Sequence, residues 1–359
     1  MSAQIPTSTI SGAGALAAAT PRDTGLDALR AALTLLVVFH HTAITYGAIG
    51  GWFYREVTTD GRLETKLLIL FCSVNQAWFM GLFFLLAGYF TPGPAERKGA
   101  WPYLRDRLIR LGLPLLVFGV VMGAVTIALG QTAKGRSFTT TLLRLWQRGT
   151  FENGPLWFVQ ALLLFCFGYL VWRAISPSRP PSRAFPSNVV LFMAALVTGG
   201  GAFALRLIWP VGTVVFGLQL GYFASYIVLF AAGCAGAPGR WLAAVPESRR
   251  RPWLTVAWLT LPVLPAVVLL APLVPALRGD TSGGWNIQAA VYAFWEPFVA
   301  WGFILALVHP SSTGSKLWAP SGRLWSGGLI RSSSFTRRFW SASPSPGAMY
   351  RPRIWLSSR

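Results

Sequence analysis

The sequence predicts an all-α protein, a polytopic bundle of about eight membrane-spanning helices. Three observations carry this. The 359 residues are 53% hydrophobic and only 12% charged, too few charges to cover the surface of a soluble domain of this length. Apolar runs long enough to cross about 30 Å of hydrocarbon recur along the chain. Most of the basic residues fall between those runs rather than inside them.

Taken in order, the runs lie at 28–46, 67–90, 111–130, 155–175, 188–208, 218–236, 253–277 and 286–308. A tight WPVGTVVFG turn separates the fifth from the sixth. PSRPPSRAFP (177–186) cannot be helical throughout, because proline lacks the amide proton and disfavours helix in the residue before it. Residues 1–24 lack a short basic-then-apolar pattern with a cleavage site, and are expected to form a disordered tail with no signal peptide. Residues 25–308 form the membrane domain. From 309 to 359 the chain turns rich in Ser, Arg and Pro, a composition expected for a basic tail lying on anionic lipid.

The net charge is +20, from 31 basic against 11 acidic residues. Such a balance raises nucleic-acid binding, but the placement of the charges excludes it. With the N-terminus inside, the cytoplasmic loops hold Arg97, Lys98, Arg105, Arg107, Arg110, Arg179 and Arg183, with Arg240 and the Arg249–Arg251 run. Fewer bases lie on the other side, and most of the loop acids lie there with them. Positive loops facing the cytoplasm account for this, and the lipid bilayer is the expected partner. Cys72, Cys166 and Cys234 fall inside apolar runs and read as small buried side chains. The sequence shows no P-loop, GxSxG or metal-ligand cluster, so no bound cofactor or metal is expected.

Four stretches carry candidate chemistry. RAALTLLVVFHHTAITYG places Arg30 and His41 eleven residues apart, on one helical face and about 16 Å apart along the axis. His40 points some 100° away. With Arg30 at an interface, His41 falls near the bilayer midplane, where a neutral imidazole can act as a general base. The competing reading is a hydrogen-bonded core histidine, with Arg30 as a snorkelling anchor. YLRDRLIRLG sets Arg107 and Arg110 on one face with Arg105 nearby. Guanidinium groups there can hold phosphates bidentately, or simply obey the positive-inside bias. In ENGPLWFVQALLLF a proline opens a helix, and Trp157 is either part of a site or an interfacial belt residue. Glu296, in YAFWEPFVAW, is costly within a span unless paired, with Arg30 or another buried base as its partner.

LDALRAALTLLVVFHH, FFLLAGYFTP, RDRLIRLGLPLL and GPLWFVQALLLF, in this order, resemble the acyltransferase 3 family of integral membrane O-acyltransferases. LQLGYFASYIVLFAAGCA resembles the branch that includes glucan biosynthesis protein C. The resemblance implies transfer of an acyl group, succinyl in that branch, from acyl-CoA on the cytoplasmic side to a glycan or periplasmic glucan. It implies a bacterial-type inner membrane and a cytoplasmic N-terminus. It places the family's Arg–His pair on Arg30 and His41, with His41 as the base on the acceptor hydroxyl. It also places the RxxR acyl-CoA motif on Arg107 and Arg110, and a buried acid on Glu296.

Family members continue past the eighth span with a helix carrying an HPP-like motif and about two more spans. Here that region is the Ser/Arg/Pro tail. Read one frame over, the codons for FTRRFWSASPSPGA are compatible with HPPVLVGLALAWR, an apolar helix, so a frameshift between about Val308 and Ser334 is expected. A transporter or flippase using the same His41, Glu296 and arginines is the competing class, and a truncated, inactive acyltransferase is a third.

Overall fold

The computed structural model describes residues 24–176, 182–243 and 245–312. The expectations for residues 1–23, for Arg179 and for the tail and its frameshift lie outside them.

Among the described residues the chain is helical, its only β-type pairing an isolated bridge between Val215 and Leu218. Seven helical segments are long and apolar enough to cross a membrane: Gly25–Thr45, Leu63–Lys98, Ala100–Thr132, Gly154–Ile175, Asn188–Ile208, Glu247–Leu270 and Ile287–Val308. The expected sixth run is an eighth apolar helix, Leu220–Gly236, which is shorter than the others. The chain is a multi-pass membrane protein.

We number the helices α1 (Thr24–Thr45), α2 (Leu63–Tyr89), α3 (Pro92–Lys98), α4 (Ala100–Thr132), α5 (Phe138–Gln147), α6 (Trp157–Ile175), α7 (Asn188–Ile208), α8 (Phe223–Gly236), α9 (Glu247–Thr260), α10 (Val263–Leu270) and α11 (Ile287–Ser312). α11 is the axis of the bundle and packs on α1, α2, α7, α9 and α10. Its apolar stripe is correspondingly deep: Ala293, Val299 and Ile304 are fully buried.

α2 and α8 form the closest helix pair. A Cβ on Gly88 would lie 2.1 Å from the Phe230 carbonyl oxygen, and one on Gly233 would lie 2.2 Å from that of Leu85. Small residues let backbones approach where lipid offers no hydrophobic drive for association. An aromatic cluster then fastens α6 to this pair. Phe84 of α2 is fully buried, 4.7 Å from Phe158, 5.0 Å from Phe165 and 4.7 Å from Tyr226, centroid to centroid.

α4 widens into π-helical turns at Leu108–Gly112 and Phe118–Met122. Such turns break the usual backbone ladder. The Val120 carbonyl accepts from the Trp146 indole of α5, at 3.0 Å, which ties that amphipathic helix back onto α4.

Candidate functional site

The site is built on α1. Thr34, Val37 and His41 recur at the spacing of one helical face, and Arg30 lies on the same stripe. These three residues, with His40, line a cavity of about 180 Å³. Gln76, Phe79, Met80 and Phe83 of α2 form a second wall, and Pro155, Trp157 and Phe158 form a third.

His41 faces the cavity, half-buried, with its ring stacked on Trp52 at 4.1 Å and 23°. Trp52 comes from the loop after α1, so that loop folds back over the imidazole. Nδ1 of His41 is buried and has no hydrogen-bond partner. His40 also lines the cavity, buried and stacked on Phe79 at 5.1 Å, with its own Nδ1 unpartnered. The 100° offset therefore does not exclude His40 from the pocket. It turns His40 toward α2 and leaves His41 beneath the loop.

α1 begins at Thr24, so Arg30 lies more than a turn inside the helix rather than at its edge. His41 is four residues from the far end at Thr45, roughly 6 Å along the axis. The cavity thus lies toward the end of α1 distal to Thr24. Arg30 lies at the other end, 3.0 Å from Asp27 and stacked over Phe90 with 4.3 Å from guanidinium carbon to ring centroid. It is not part of the cavity wall.

Trp157 lines the cavity and stacks on Tyr226 at 5.7 Å. The turn before it is pinned by Asn153, a buried side chain whose Nδ2 donates to Gln160 Oε1 at 2.8 Å and to the Gly217 carbonyl at 2.9 Å. The three arginines of α4 lie apart from the cavity. Arg105 and Arg110 are exposed, while Arg107 is half-buried with its guanidinium 5.0 Å over the Tyr103 ring. A π-helical turn begins at Leu108, between Arg107 and Arg110.

Glu296 is buried and paired, and its partner is Arg206 rather than Arg30. Arg206, near the end of α7, is 0% exposed. Its Nη2 donates to the Glu296 carboxylate and its Nε to the Gly221 carbonyl at 3.0 Å. Its guanidinium lies 4.5 Å from the Tyr292 ring and 5.3 Å from that of Tyr222. Sequence reasoning passed over Arg206 because it falls at the end of an apolar run, where an arginine ordinarily snorkels. A signal was nevertheless present: an unpaired carboxylate in α11 requires a buried cation.

The ion pair reaches the cavity through side chains. Tyr222 stacks on Tyr226 at 6.4 Å, and the Tyr226 hydroxyl accepts from Gln76 Nε2 at 3.0 Å, Gln76 being a cavity wall residue. Gln76, Tyr226 and Trp52 were likewise not singled out from the sequence. Lying in ordinary apolar context, they owe their place to tertiary packing alone. Among the described residues no group of three or more His, Cys, Asp or Glu is arranged to hold a metal ion.

Comparison with curated proteins and with solved structures gives no match. An acyltransferase domain matches residues 23–330, which span all of the described bundle and the start of the segment beyond it. The chain therefore belongs to the acyltransferase 3 family and is a membrane acyltransferase.

Proposed function

We propose that this acyltransferase moves an acyl group from acyl-CoA to a hydroxyl of a glycan, with His41 as the general base. The observation that carries the reading is the setting of His41: an imidazole on the wall of a cavity of about 180 Å³, stacked against Trp52. A base must lie within hydrogen-bond reach of the proton it removes, and no other residue of the cavity wall combines that position with suitable chemistry except His40, which is turned against Phe79.

In the reaction the acceptor oxygen attacks the thioester carbonyl as His41 takes the hydroxyl proton. Collapse of the tetrahedral intermediate breaks the carbon–sulfur bond, and the CoA thiolate leaves and is protonated. Gln76, anchored by Tyr226, has an amide positioned on the cavity wall to hydrogen-bond the acceptor or the developing oxyanion. Arg206 and Glu296 act by positioning, because their pair lies behind Tyr222 and Tyr226 and supports that wall.

The offset of the cavity fits a division of labour between the two ends of the bundle. The N-terminal end, with Arg30, Arg105, Arg107 and Arg110, faces the cytoplasm and receives the phosphates of acyl-CoA. The far end, roofed by Trp52 and opened by Trp157, receives the glycan. The glucan-branch motif LQLGYFASYIVLFAAGCA supports a periplasmic glucan acceptor, a succinyl group as donor and a bacterial inner membrane as location.

The test supplies radiolabelled succinyl-CoA and glucan to membranes containing the protein. Label appears on the glucan with the natural chain. The His41→Ala variant loses about 10²- to 10⁴-fold of that rate, the usual contribution of a general base. His40→Ala retains most of it. Failure of the natural chain to label the glucan would exclude this donor and acceptor, and equal loss in both histidine variants, each folded, would move the base away from His41.

A further inference from the structure

A second cavity, larger than the first at about 320 Å³, opens between α2, α7, α8 and α11 at the N-terminal end of the bundle. It plays no part in the acyl-transfer reading. Its floor is Leu85, Ala194 and Ile304, and its walls are apolar throughout, with Trp241 and Trp301 at its sides. Small side chains create the space. Ala231, Ala232 and Ala235 stand along α8 opposite Ala194 of α7.

The lid over this cavity is constructed rather than incidental. Two loops meet there, residues 182–187 and 237–243. The Trp241 indole donates to the Arg183 carbonyl at 2.7 Å and packs on Phe185 at 5.8 Å. Arg249 Nε donates to the Pro186 carbonyl at 3.0 Å. Gly239 admits this approach, since a Cβ there would lie 2.4 Å from the Arg183 carbonyl oxygen. The same hydrogen bonds set arginines around the lid. Arg183 and Arg240 are exposed, and Arg249 follows on the next helix.

An apolar chamber beneath a basic lid, at the boundary of a membrane, has the form of one kind of molecule: an alkyl chain joined to an anion. We propose that this cavity binds one acyl chain of an anionic phospholipid from the leaflet at the N-terminal end, with its phosphate on Arg183, Arg240 and Arg249. The outward flank supports entry from the bilayer, because Val190, Ala231 and Ala235 are exposed on the outside of the bundle. The charge around the lid selects an anionic headgroup over a zwitterionic one, as in other basic pockets between membrane helices. The bound lipid would brace α7 against α8 where side chains leave them apart.

Native mass spectrometry of the full chain, released from mild detergent, tests this without reference to the reaction. The probes are phosphatidylglycerol and phosphatidylcholine with the same acyl chains. One phosphatidylglycerol is retained per chain, in preference to phosphatidylcholine. Ala235→Phe, which fills the chamber from its exposed side, lowers that retention by about tenfold, as expected for the loss of a few buried methylenes. Arg183→Gln with Arg240→Asn removes the preference for phosphatidylglycerol while leaving phosphatidylcholine binding unchanged. Asparagine is chosen because residue 240 has φ 50°, a conformation it tolerates. Absence of a retained lipid, equal retention after filling, or a headgroup preference that survives both arginine changes overturns the proposal. So does a dimer that forms in place of lipid binding and is lost on filling, or displacement of the lipid by long-chain acyl-CoA at equal concentration.

Discussion

Arg206 and Glu296 illustrate how single residues in this bundle are constrained. Two charges removed from both water and lipid persist only as a pair, and each still has one buried atom without a partner: Nη1 of Arg206 and Oε1 of Glu296. Removing one side leaves the other charge uncompensated, at a cost of about 3–5 kcal/mol. Arg206→Leu and Glu296→Leu are therefore each expected to lower the melting temperature in detergent sharply, while the double variant recovers much of the loss. A double variant as unstable as the sum of the singles would show that the two residues contribute independently. At the other end of the tract, Tyr226→Phe removes only the hydroxyl that anchors Gln76. Its expected signature is a fall in acyl-transfer rate with little change in melting temperature, read against His41→Ala in the same assay.

Among the helices, α2 and α8 show most clearly what glycine contributes. Gly88 and Gly233 are placed so that any side chain would meet backbone rather than a flexible tip. Gly88→Ala must push the helices apart, and overpacking of this kind costs about 1–3 kcal/mol or more. Gly168→Ala on α6 is the control, because nothing lies within 4 Å of the added carbon, and alanine is the better helix former. Thermal unfolding of both in the same detergent should separate them, with Gly88→Ala lower and Gly168→Ala unchanged or higher. α4 makes the complementary point. Its π turn at Phe118–Met122 contains Val120, the residue whose carbonyl accepts from the Trp146 indole of α5.

Taken together, the bundle places its two cavities at opposite ends, the histidine cavity toward the far end of α1 and the apolar one beside the loops at 182–187 and 237–243. The proposed direction of transfer depends on which end meets the cytoplasm, and labelling can decide this. Gly61, in the loop after α1, and Gly93, at the start of α3, are both exposed with open space around them, so cysteine at either is tolerated. In intact cells a membrane-impermeant maleimide should label Gly61→Cys and spare Gly93→Cys. The opposite pattern would invert the topology and place the histidine cavity on the cytoplasmic side.

Much of this architecture could be read along the chain because a bilayer imposes one-dimensional rules. Apolar length sets a span, and proline and glycine clusters mark its ends. Seven of the eight expected runs match long helices and the eighth is a shorter one. The family was legible for the same reason, its motifs being contiguous stretches of single helices. The pairing of Glu296 with Arg206, ninety residues apart, was not. Nor was the stacking of Trp52 on His41, or the link from Gln76 to Tyr226, because each joins helices whose faces are oriented only by packing.

The amino-acid sequence alone determined that this chain crosses a membrane repeatedly as helices, that it carries the marks of an acyltransferase, and that a histidine lies within its first span. Tertiary structure alone decided which cavity that histidine faces, how near the far end it lies, and which cation neutralises the buried acid. The reason is physical: hydrophobic length is a property of consecutive residues, whereas the rotation and depth of one helix against another follow from contacts distant in the chain.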